Sequence, residues 1–130
     1  MELNFKENID AIEGCPDHNV SGKKKLYRFV KLPLDKNSFI PHSVIYKPKY
    51  KNKCIAWGLS TYDSLKSAKQ VLMNMPETRR QDFDAIAFGE VNDGDGIKYQ
   101  STKNLRHFTF FPVEELDCTV LFNVEDNGKK

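Results

Sequence analysis

The sequence predicts an α+β fold: a small, mainly antiparallel sheet packed against one main helix at about residues 60–75. Three observations carry that prediction. Short stretches rich in β-branched and aromatic residues alternate apolar and polar positions, as in "LYRFVKL". One segment repeats Leu65, Ala68, Leu72 and Met75 at intervals of three and four, which lays a single apolar stripe along a helix. The late strands are joined by short links, and short links favour antiparallel neighbours.

Taken in order, residues 1–25 read as an N-terminal arm or short helix, and "LYRFVKL" (26–32) as the first strand. Pro33, Pro41 and Pro48 then make a long loop, with one extended piece near Val44–Tyr46. "CIAWGL" (54–59) reads as a buried strand. Ser60 opens the helix, because Ser60 and Asp63 have the spacing of a near capping box, and Pro76 closes it. "AIAFGEV" (85–91) is a second buried strand. The turn "NDGDG" leads into "IKYQST" (97–102), which can pair back as a hairpin. "LRHFTFFP" (105–112) and "CTVLFNV" (118–124) complete the sheet, and residues 125–130 form a frayed tail. The expected core is Ile55, Trp57, Leu65, Leu72, Ile86, Phe88, Phe110 and Leu121. Residues 26–124 form one domain in this reading, which suits a chain of 130 residues.

Composition narrows the class. Hydrophobic residues make up 39% and charged residues 29%, the balance of a globular protein and not of a disordered one. No apolar run approaches the roughly 20 residues of a membrane span. "MELNFKENIDAIEG" has no basic stretch followed by an apolar core, so it does not read as a signal peptide. Cys15, Cys54 and Cys118 are odd in number and lack CxxC spacing, which reads as buried or idle thiols in a reducing, cytoplasmic setting.

Net charge is only +2, yet residues 21–53 hold ten Lys or Arg against the single Asp35. Such asymmetry points to an anionic partner. Lys23, Lys24, Lys25, Lys31, Lys47, Lys49, Lys51 and Lys53, with Arg28, interleave with Tyr27, Phe29, Tyr46, Tyr50 and Trp57. Cations contact phosphates and aromatics stack on bases, so nucleic acid is a candidate partner, as is another protein. The competing reading is a solvated face with its aromatics turned inward.

Individual anion-site candidates are Arg28, Ser60, Thr61 and His107. If a helix starts at Ser60, its first amides could receive an anion, although Ser60 or Thr61 could equally cap the helix. His107 could act as a base or hold a phosphate, or be a buried structural histidine. His18 and His42 show no metal-ligand spacing, and "DGDG" is a turn without the rest of a calcium loop. No metal, cofactor or complete catalytic set is expected, and the reading leans away from an enzyme.

The ordered set "LYRFVK", "CIAWGLSTYDSLKSA", "IAFGEVNDGDGI" and "RHFTFFP" resembles a family of small uncharacterised bacterial proteins, over about residues 15–124. That resemblance implies a bacterial origin and no particular chemistry. A more distant resemblance is to mono-ADP-ribosyltransferases, with Arg28, Ser60–Thr61–Tyr62 and Glu90 in the order those enzymes use. It implies an NAD-binding enzyme or toxin-type protein as the alternative to a binding or regulatory module.

Overall fold

The computed structural model describes residues 2–45 and 51–126. Lys47, Lys49, Tyr46 and Tyr50, together with residues 127–130 of the expected tail, lie outside the described residues. The elements in chain order are α1 (Lys6–Asp10), β1 (Lys24–Val30), a 3-10 turn (Lys36–Phe39), α2 (His42–Ile45) and a second 3-10 turn (Cys54–Trp57). There follow β2 (Leu59–Tyr62), α3 (Leu65–Asn74), α4 (Glu77–Arg80), β3 (Ala85–Val91) and a third 3-10 turn (Asp93–Asp95). β4 (Gly96–Gln100), β5 (His107–Pro112), α5 (Cys118–Leu121) and β6 (Asn123–Asp126) complete the fold. The fold is α+β: a six-stranded antiparallel sheet in the order β4-β5-β2-β1-β3-β6, with short helices around it.

β3 and β4 stand fifth and first in that order, yet only residues 92–95 connect them. Four strand spacings in a flat sheet are about 19 Å. A four-residue link containing a 3-10 turn falls short of that span. The sheet must therefore curl, bringing its ends together. Leu26, Val30, Leu59, Ala87, Phe108 and Phe110 pack on one face with Cys118 and Phe122. Tyr27, Phe29, Tyr62 and Ile86 pack on the other with Ala68, Leu65 and Leu72 of α3. Both faces of β3 are covered, which is why its sequence, AIAFGEV, is nearly continuous in apolar residues, whereas β1 is interrupted by Arg28.

Several local expectations are corrected. The main helix begins at Leu65 and not at Ser60, and its cap is Ser64, whose Oγ accepts from Ser67 N at 3.2 Å. Ser60–Tyr62 instead form a strand against β5, with Ser60 opposite Thr109 and Tyr62 opposite His107. Cys54–Trp57 is a 3-10 turn and not a strand, since a short apolar run does not distinguish a buried strand from a buried helical turn. Trp57 is held there by donating Nε1–H to Lys51 O at 2.9 Å, while Ile55, expected in the core, faces out. Gly58 then passes so close to β5 that a Cβ would overlap Thr109 Cγ2.

The piece near Val44–Tyr46 falls on helix α2 up to Ile45, and residues 118–121 are helical before β6. β4 pairs with β5 and not with β3, because β1 and β6 occupy both edges of β3. Cys15 and Cys54 are joined in a disulfide, which corrects the reading of three idle thiols; Cys118 is free and buried. Among the described residues no helix is long and apolar enough to cross a membrane.

Candidate functional site

β1 and β2 meet at a single register pair, Tyr27 opposite Tyr62. Beyond that pair the strands diverge, and the backbone there needs other partners. Arg28 fills the gap. Its Nη1 donates to Ser60 O at 2.9 Å and its Nε to Ser38 O at 3.0 Å. Both acceptors are neutral, and among the described residues no carboxylate pairs with Arg28. Loss of water around the half-buried guanidinium pulls its pKa down to about 10, so it stays charged at neutral pH. Two of the five N–H groups of an arginine are committed to the carbonyls, and three remain for a ligand.

Beside Arg28 a chain of hydroxyls runs through a histidine. Thr109 Oγ1 donates to Ser101 Oγ at 2.7 Å, Ser101 Oγ meets His107 Nδ1 at 3.0 Å, and His107 Nε2 meets Ser60 Oγ at 2.7 Å. Each ring nitrogen of the neutral imidazole thus has a hydroxyl partner, one donating to the ring and the other accepting from it. Ser60 Oγ is held by the imidazole and has the Tyr62 hydroxyl as a second neighbour. Burial lowers the His107 pKa, which keeps the ring neutral, and the edge of His107 rests on Tyr62.

Arg28, Ser60, His107 and Thr109 line one cavity of about 310 Å³, walled by Ile40, Ile55, Ala56 and Gly58, with Lys53 also lining it. A second cavity of about 650 Å³ shares Arg28, Ile40 and Ser60 with it and continues between β1, α3, α4 and the loop after β1. The two are chambers of one cleft with Arg28 at their junction. Three of the four anion-site candidates named from sequence thus converge. Thr61 does not: it is fully buried in the sheet and donates to Phe108 O at 2.8 Å.

The described basic residues do not gather on one face. Lys23 pairs with Glu90 and Lys24 with Asp63. Lys24 lies over Phe108, while Lys25, its neighbour in β1, lies over Phe88. Lys31 and Lys51 are exposed, and Lys53 lies at the cleft. Glu90, the acid of the transferase-like order, is exposed with Lys23 and lines neither chamber. Among the described residues no three His, Cys, Asp or Glu side chains are grouped to hold a metal.

No family model, curated protein or solved structure matches the chain.

Ser101 and Thr109 belong to the site by geometry. Thr109 was legible as sharing a strand face with His107, at two residues' distance on β5. Ser101 had no such signal, because it reaches His107 across the loop that joins β4 to β5.

Proposed function

We propose that this protein is a non-enzymatic binding or regulatory module that captures an anion at Arg28, with the Ser60 hydroxyl beside it. One observation carries the reading: a half-buried guanidinium opens into a cleft with no carboxylate neutralising it among the described residues. Such a charge is costly to hold away from water unless something of opposite sign visits it. A nucleic-acid partner draws less support, because Lys23, Lys24 and Lys25 are spent on acids and on opposite faces of β1. The disulfide between Cys15 and Cys54 also favours an oxidising compartment over the cytoplasm.

The test is a thermal melt in acetate or phosphate against chloride at equal ionic strength, on the wild type and Arg28→Gln. An anion that binds the folded state raises Tm, and the variant is expected to lose that rise. An equal rise in both proteins, or none in either, would overturn the reading.

An enzymatic reading rests on the Ser60–His107 contact of 2.7 Å, the spacing of a hydroxyl and its base. That role needs the tautomer in which Nε2 accepts the Ser60 proton and Nδ1–H donates to Ser101 Oγ. The reading predicts turnover of small nitrophenyl esters that Ser60→Ala abolishes. The NAD-binding alternative predicts that millimolar NAD raises Tm, and the acid of its order, Glu90, lines neither chamber.

A further inference from the structure

We infer that the ligand of the Arg28 site is an amphipathic monoanion, an alkyl carboxylate with its head on Arg28 and its chain along the larger chamber. This rests on the anion-binding reading above. The larger chamber is walled largely by apolar side chains: Leu32, Ile40, Ile45, Val71, Met75 and Phe83. Of these Leu32 and Ile45 are 38% and 54% exposed, so apolar surface stands open to water at the mouth of the groove. A small inorganic anion would use Arg28 and leave that surface wet. A chain of methylenes covers it.

Charge fixes the valence of the head. Lys31 and Arg79 also line the larger chamber, but Asp35 and Asp82 line it with them, so within that chamber Arg28 is the charge in excess; Lys53 lines only the smaller one. A single negative charge matches that single excess one; a dianion would carry a second charge into the larger chamber uncompensated. The head meets the N–H groups of Arg28 that the two carbonyls leave over, with Ser60 Oγ, held by His107, beside them. The tail leaves through the residues common to both chambers, Arg28, Ile40 and Ser60.

Isothermal titration of the full chain with acetate, butanoate, hexanoate and octanoate tests this, with inorganic phosphate as the control anion. Affinity is expected to rise about fourfold for each added methylene until the groove is filled. Ile45→Asn, at an exposed rim position, is expected to weaken octanoate at least fivefold and leave acetate unchanged. Arg28→Gln is expected to abolish binding of every member. Equal affinity for acetate and octanoate would overturn the amphipathic assignment and leave the anion site standing. Undiminished octanoate binding by Arg28→Gln would overturn the anionic head. No heat with any carboxylate or with phosphate would overturn both readings together.

Discussion

Two cations are drawn into this sheet, and their surroundings differ. The side chain of Lys98 on β4 is fully buried, and its ammonium donates to Asp93 Oδ1 at 3.0 Å. The same carboxylate accepts from Asn19 Nδ2 and from Gly22 N, both at 3.0 Å, so the charge pair fastens the N-terminal arm to the sheet. Val20 N also donates to Lys98 O at 2.8 Å. Arg28 on β1 has two carbonyls and, among the described residues, no carboxylate paired with it. The contrast teaches how to separate a structural charge from a functional one. A buried cation with its acid beside it closes a contact, whereas one facing a cleft with no carboxylate paired to it leaves its field for a visitor. Stability is therefore expected to reside in the arm clamp, and ligand response in the cleft.

The largest stability effect is predicted on the clamp side. The Cys15–Cys54 bridge closes a separation of 39 residues and ties the arm to the turn that walls the smaller chamber. Replacing both cysteines with serine frees that loop in the unfolded chain, a loss of about 4 kcal/mol by chain entropy. An unchanged denaturation midpoint would mean that the arm is held without the bridge.

Next in size, Asp93→Ala strands the Lys98 ammonium, and a buried charge without its partner is destabilising. A Tm fall of several degrees is expected, larger than that of Lys98→Met, which removes the charge and keeps the bulk. Bonds from Asn19, Gly22 and Lys98 hold the Asp93 carboxyl down to about 2, against 3.8 unperturbed. Because the folded value is the lower one, this stabilisation is present above pH 3.8 and is lost as pH falls toward 2. The alanine variant is expected to lack that acid limb. If Lys98→Met costs as much as Asp93→Ala, the clamp is packing and not charge.

On the cleft side, His107 sets a milder pH dependence. Burial lowers its pKa below 6.5, so the unfolded chain takes up the proton first and stability falls as pH drops below about 6.5. His107→Gln, followed by melts between pH 7 and 5, is expected to flatten that slope. An identical slope would place the titration elsewhere. Smallest of all, Arg28→Gln is expected to cost about 1 kcal/mol, the value of one hydrogen bond to a carbonyl, while abolishing the response to anions.

How much of this was legible differs between the two regions. The strands around Tyr27 and Phe110 follow from period-two patterning, that around Phe88 from its apolar run, and the stripe of α3 from its three-and-four spacing. The helix start was misplaced because Ser60 and Asp63 imitate the spacing that Ser64 provides four residues later. Arg28, Ser60 and His107 could each be singled out by chemistry. Their meeting depends on β2 lying between β1 and β5, which no local pattern encodes. The clamp was invisible for a similar reason. Lys98 alternates with Ile97 and Tyr99 as a solvent-facing residue would, and only the arm crossing β4 buries it. Cys15 and Cys54 likewise find each other through the packing of α1 near Trp57, without a spacing signal.

The contrast between the two cations is that the Arg28 charge is open to a ligand and the Lys98 charge is not. One nitrogen-15 NMR titration with octanoate, observing the Arg28 Nε–H and the Lys98 Nζ–H resonances in the same sample, tests both halves. The expected result is a saturable shift of Arg28 Nε–H with Lys98 Nζ–H unmoved. Parallel shifts of the two, or a still Arg28 resonance at saturating octanoate, would contradict it.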